Sequence, residues 1–198
     1  MSLLPEPATT PAVQGLFDDD VEELGFVMNA SRLWAYQPEW QVRLFELLGL
    51  IVREHDLTFR QRGILVTACA SALGDSYCSL AWGTKLATAT DPDLAAGVLR
   101  GDDHALTDPE RALAAWARQV ARDPNATTMA DVAVLRDAGW TDPQIFGITV
   151  FVAVRIAFST VKDALDARPD PAYRSLAPPA VLAAVTYGRP IAADPATQ

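Results

Sequence analysis

Gly74-Asp75-Ser76-Tyr77-Cys78-Ser79-Leu80-Ala81-Trp82 opens the segment on which the reading of this chain turns. Taken as a helix running on toward residue 90, it places Asp75, Cys78, Trp82 and Lys85 at i, i+3, i+7 and i+10, on one face. Asp75 or Ser76 stands where a side-chain oxygen caps the first turn, and a carboxylate there is favoured by the helix dipole. Cys78 lies one turn in, where the N-terminal field lowers a thiol pKa. Asp75 on the same face opposes this, because a nearby carboxylate disfavours a second negative charge. The two influences leave open a reactive thiolate and a buried, inert thiol, the commoner state of free cysteine.

Outward from this segment the chain is punctuated by helix starts. Thr58-x-x-Gln61, Thr107-x-x-Glu110 and Thr141-x-x-Gln144 have the capping-box pattern, in which Thr accepts from one backbone N–H and the Glu or Gln accepts from another. Pro109 and Pro143 sit near first-turn positions, and Pro38 and Pro92 open two further helices. Leu44, Leu47, Leu48 and Ile51 form one apolar stripe, and Leu113, Trp116, Ala117 and Val120 another, both at helical spacing. Without any convincing period-two alternation, the fold class is all-α. The pattern predicts helices over 18–36, 38–54, 58–73, 75–90, 91–99, 107–122, 128–138 and 141–166. A disordered leader is expected over 1–15, a single helical domain over 16–168, and a Pro-rich C-terminal arm over 169–198 with a short helical piece at 179–186. The arm is either a frayed terminus or an element that docks on a neighbouring subunit. Leu57-Thr58-x-x-x-Arg62 and Leu106-Thr107-x-x-x-Arg111 echo one another, as a duplicated hairpin or as two helix starts that merely look alike.

Half of the 198 residues are hydrophobic and 21% are charged, a globular composition large enough to bury a core. The net charge of −9 argues against a nucleic-acid partner and against an anionic membrane surface. Cys69 and Cys78, nine residues apart on consecutive helical structure, are poorly placed to bridge each other, and reducing, cytoplasmic conditions fit them. The start lacks a basic region followed by an apolar run, so no signal peptide is visible. The longest apolar run, Ile145 to Phe158, is short for a membrane span and contains Arg155. Cys69 sits in an apolar helix interior as a packing residue. His55 and His104 fall in turns, too few and too scattered for a metal site, and neither metal nor cofactor is expected.

Arg155 interrupts a helix that is otherwise apolar nearly all round. Such a charge is paired if buried, and Asp75 is the expected partner; alternatively Arg155 binds an anionic ligand such as a carboxylate, or lies at an exposed edge or subunit interface. Tyr77, Trp82, Lys85 and Arg155 are the candidate ligand-binding residues, and Cys78 and Asp75 the candidate catalytic ones.

From about Phe26 to Asp170 the sequence resembles the alkylhydroperoxidase D-like, or carboxymuconolactone decarboxylase, family, and within it the peroxidase-related branch. The resemblance rests on Leu57-Thr58-Phe59-Arg60-Gln61-Arg62 before the opening motif, and on two stretches after it. These are Leu106-Thr107-Asp108-Pro109-Glu110-Arg111-Ala112-Leu113 and Ala138-Gly139-Trp140-Thr141-Asp142-Pro143-Gln144-Ile145. It implies a multi-helical, homo-oligomeric fold, and a Cys-x-x-Cys-x-x-x-His site in which a Cys pair cycles through a disulfide while His and an upstream Glu relay protons. Here Cys78 matches the second Cys, Asp75 replaces the first, and Trp82 replaces the His. The upstream Glu position falls near Gly63. Asp75 cannot form a disulfide and Trp82 cannot exchange protons, so the usual dithiol cycle does not carry over.

Three readings follow. In the first, Cys78 alone attacks a hydroperoxide, becomes a sulfenic acid and is reduced by an external thiol. In the second, Asp75, Trp82, Lys85 and Arg155 hold a small organic acid in a non-redox, lyase-type site, with Asp75 as acid or base and Trp82 as an apolar wall. In the third, the chain is a catalytically silent binding or structural homologue. The retained cysteine favours the first.

Overall fold

The computed structural model describes residues 2–194, and the last four residues of the expected arm lie outside that range. Its helices are α1 (Pro11–Leu24), α2 (Asn29–Trp34), α3 (Pro38–Glu54), α4 (Phe59–Leu73), α5 (Ser76–Ala89) and α6 (Pro92–Arg100). They continue with α7 (Asp108–Arg122), α8 (Met129–Asp137), α9 (Asp142–Ala164), α10 (Tyr173–Leu176) and α11 (Pro179–Ala184), with a 3-10 turn at Pro124–Ala126. No strand occurs among the described residues, and the architecture is all-α.

The expected helix starts form as capped starts. Thr58 Oγ1 accepts from Gln61 N while Gln61 Oε1 accepts from Thr58 N, and Thr141 and Gln144 repeat the exchange at the head of α9. Thr128 and Asp131 close a further box on α8. At α7, Glu110 accepts from Thr107 N and is also gripped through both oxygens by Arg60 of α4, so the cap doubles as a tie between the two helices.

Two differences from the expected map lie at the N-terminal side. Helix α1 starts at Pro11, capped by Thr10, inside the span expected to be leader. The single helix expected over 18–36 is two helices, because Gly25 takes a left-handed conformation (φ 82°) and ends α1. Asp20 then accepts from Met28 N, which fixes the turn into α2.

Helix α4 is the hub. Every residue from Gly63 to Ala70 is buried, so its interior reads as continuous apolar sequence instead of a stripe. It packs against α5, α6, α7 and α9, and Ile64, Leu65, Leu86, Leu113 and Ile148 in the resulting core are wholly inaccessible. Helix α9 has 23 residues and is long and apolar enough to cross a membrane by length and composition alone. Its Ile145, Ile148, Phe151, Val152, Arg155 and Phe158 are nevertheless buried in the fold.

The C-terminal arm docks on its own chain. Val181 and Ala184 of α11 are buried against α5 and α6, with Val181 seated where Gly83 has no side chain. Beyond α11 the chain folds over the start of α5, where Ser76 Oγ donates to Arg189 O at 2.6 Å. Gly188, at φ 71°, lies so close that a β-carbon there would collide with Gly74 O. Between arm and α5 lies a cavity of about 300 Å³ lined by Ser76, Leu80, Leu182, Tyr187 and Arg189, among others; Cys78 and Arg155 do not line it.

Candidate functional site

Gly74, left-handed at φ 74°, ends α4 and turns the chain into α5 with Asp75 as the N-cap. Asp75 is 1% exposed, and its Oδ1 accepts from Cys78 N at 2.9 Å. A carboxylate buried this deeply needs a countercharge. The sequence suggested Arg155. The structure corrects this: the countercharge is Lys162, whose Nζ stands 2.6 Å from Asp75 Oδ1. Lys162 is fully buried, also reaches Asp163 at 2.7 Å, and lies over the Tyr77 ring. Asp75 Oδ2 accepts from Ser159 Oγ at 2.6 Å. Burial alone would raise the Asp75 pKa, but the Lys162 ammonium and the hydrogen bonds from Lys162, Ser159 and the Cys78 amide hold it below the usual carboxylate value. Asp75 is therefore a fixed anion, poorly suited to act as a general acid.

One turn along, Cys78 is 3% exposed. Ser159 Oγ lies 3.8 Å and Arg155 Nη2 3.6 Å from its sulfur. Burial, then the Asp75 charge, push the thiol up to about 11, against the opposing pull of Lys162 and Arg155. Burial and the Asp75 charge thus outweigh the cations around the sulfur. Cys69 is pushed up to about 12, chiefly by burial.

Arg155 is 4% exposed and takes part in no ion pair among the described residues. Its Nε is buried without a hydrogen-bond partner. Three aromatic faces surround the guanidinium: Phe158 at 5.3 Å, Trp82 at 5.5 Å and Phe45 at 6.0 Å. Trp34 stacks on Phe158 with centroids 5.7 Å apart, and its indole N–H is also buried and unpartnered. Such ring faces attract a cation without replacing its hydrogen bonds.

Of the residues singled out in the sequence, Asp75, Cys78, Trp82 and Arg155 come together here. Lys85 instead pairs with Glu23 at 2.7 Å while its ammonium lies over Trp82, and it makes no hydrogen bond to the thiol network. Tyr77 reaches a different set of partners, donating to Asp170 Oδ2 at 2.5 Å and accepting from Ala30 N. Ser159, Lys162, Trp34, Phe45 and Phe158 were not foreseen. The signal for two of them was present: Arg155, Ser159 and Lys162 fall at i, i+4 and i+7, a polar stripe on an apolar helix.

Most of the chain superimposes on known helical structures. A peroxidase-related protein from Ralstonia eutropha JMP134, described as an alkylhydroperoxidase AhpD core, matches over 87% of this chain and 94% of its own, with a TM-score of 0.74 and 23% identity. A peroxidase-related protein from Silicibacter sp. TM1040 matches over 88% and 94%, with a TM-score of 0.78 and 23% identity. The chain has the AhpD-like fold. That fold also holds the debrominase Bmp8, solved as a cysteine-to-alanine variant in complex with 2,3,4-tribromopyrrole; it matches over 93% and 100%, with a TM-score of 0.72 and 18% identity. No family model and no curated protein matches the sequence.

Proposed function

We propose that this AhpD-like chain is a single-thiol oxidoreductase in which Cys78 reduces a hydroperoxide. The observation that carries the reading is the Arg155 guanidinium, free of any carboxylate partner among the described residues and 3.6 Å from the Cys78 sulfur. A cation so placed stabilises negative charge that develops on sulfur and on the departing oxygen. Sulfur attacks one peroxide oxygen, the O–O bond breaks, and the alcohol leaves with the thiol proton; Cys78 becomes a sulfenic acid, having given up two electrons. An external thiol then forms a mixed disulfide with loss of water, and a second one releases Cys78. Asp75 and Lys162 take no proton in this scheme. They hold the start of α5 and fix the sulfur against Arg155. The fold's peroxidase-related neighbours support the reading, as does the retention of sulfur at this position. The chain further acts as a homo-oligomer, a reading supported by the exposed apolar residues of α3, and its two free cysteines fit the reducing cytoplasm.

The test is exposure of the purified protein to a small hydroperoxide, with mass spectrometry of both cysteines and Cys78→Ser as control. One oxygen added at Cys78, faster as pH rises toward 11, is the expected result. Oxidation of Cys78 no faster than that of the buried Cys69 would rule the reading out.

A further inference from the structure

Ser159 stands between Asp75 and Cys78, and its hydroxyl has a single proton to give. Its Oγ lies 2.6 Å from Asp75 Oδ2 and 3.8 Å from Cys78 Sγ. Asp75 can only accept, because Lys162 Nζ, 2.6 Å from its other oxygen, holds it as an anion. A charge-assisted bond to a carboxylate outweighs a weak bond to sulfur, so the Ser159 proton goes to Asp75. What Ser159 turns toward the thiol is therefore a lone pair. On another side Cys78 Sγ faces Arg155 Nη2 at 3.6 Å, and a guanidinium can only donate. A thiol proton aimed at Arg155 would meet a second proton; aimed at Ser159 it meets an acceptor. All of these side chains are buried, so bulk solvent does not compete for the bonds.

We infer that Ser159 is a positioning residue for the Cys78 thiol: it accepts the S–H and so keeps a sulfur lone pair turned toward Arg155. The direction is imposed from a distance. Lys162 fixes the charge of Asp75, Asp75 takes the Ser159 proton, and Ser159 takes the thiol proton. Reversal is expected in Asp75→Asn. There the amide oxygen stays at the α5 cap and an N–H replaces Oδ2, donates to Ser159 and frees the hydroxyl proton to turn to sulfur. This role goes beyond the peroxide reading, because it belongs to the resting thiol whether or not Cys78 meets a peroxide.

The S–H stretching band of the full chain, recorded as an infrared difference against Cys78→Ser in a Cys69→Ala background, tests it. A single narrow band is expected, at lower wavenumber than that of ethanethiol in hexane, the shift a hydrogen-bonded S–H shows. Ser159→Ala should move the band to the free value and broaden it, while Ser159→Thr, which keeps the hydroxyl, should restore it. Asp75→Asn should also move it to the free value with Ser159 still in place, which a merely space-filling serine would not do. Circular dichroism confirms the folding of each variant. A wild-type band at the ethanethiol value would overturn the inference whether or not any variant folds. So would a band unchanged in Ser159→Ala, or one moved by Asp75→Asn alone, which would make Asp75 the direct acceptor. A bonded band without peroxide oxidation at Cys78 would keep this role and remove the thiol reading; oxidation with a free band would do the reverse.

Discussion

Asp75 holds together three things at once: the cap of α5, the countercharge of Lys162 and the electrostatics of Cys78. Replacing it with Asn leaves an amide that still accepts at the cap but deprives Lys162 of its fully buried partner. We expect Asp75→Asn to lose stability on the order of 3 kcal/mol in denaturant unfolding. At the same time the Cys78 thiol should move down from about 11, seen as faster alkylation near neutral pH. Acid titration separates two kinds of carboxylate. Asp75 lies below its ordinary value in the folded state, so its stabilisation is present above about pH 4 and is lost as pH falls through its folded pKa. Asp20 and Asp170 are raised, first by burial, so theirs is fully present below about pH 4 and fades as pH rises through their folded values. Asp170→Asn should therefore flatten the decline in stability above pH 4 without altering the loss on the acid side. The Asp75–Arg155 pairing inferred from sequence failed because Lys162 takes Asp75 instead. Both cations lie on one side of α9, and Lys162, near its C-terminal end, looks in the sequence like an ordinary lysine favoured there by the dipole.

At the scale of elements, α9 and the arm decide what surrounds the thiol. Thr141 caps α9 at its exposed end, and Thr141→Ala should cost about 1 kcal/mol with little change in Cys78 reactivity. Gly188→Ala is a harsher change, because a β-carbon would meet the backbone of Gly74 and Ser76 at a position already left-handed. The expected outcome is release of residues 185–192 from α5, read as faster amide hydrogen exchange there, with the Ser76–Arg189 bond lost. Element starts were the most legible part of the fold, since Thr and Gln or Glu at fixed spacing announce them locally. The break between α1 and α2 was less so: its only local mark is Gly25, and the Asp20 bond that fixes the turn spans eight residues. The docking of the arm was invisible, because it depends on missing side chains at Gly83 and Gly188 meeting distant chain.

The molecule as a whole is acidic at −9, yet α3 exposes Trp40, Val42, Phe45, Leu47 and Leu50 at 40–65%. Exposed apolar side chains concentrated on one helix mark an interaction surface more often than chance solvation. Sedimentation should give a mass that is a multiple of 21.3 kDa, and Leu47→Glu should shift it toward the single chain. The all-α architecture was legible, as was the gathering of Asp75, Cys78 and Trp82 on one face. What the sequence did not contain was the closure of that face. Phe45 and Trp34 arrive from helices well before it in the chain and Ser159 from eighty-one residues later, and nothing in their local pattern marks the destination.

Because Arg155, Ser159 and Lys162 meet Cys78 and Asp75 from one rigid helix, the site tolerates changes of residue type far better than changes of count. Inserting or deleting a single residue between Arg155 and Lys162 turns everything beyond it by about 100°. Either Lys162 leaves Asp75 or Arg155 leaves Cys78. The same one-residue length change in the exposed turn at 101–105 shifts nothing that touches the thiol, so length variation in this protein belongs in its turns and is barred from α9.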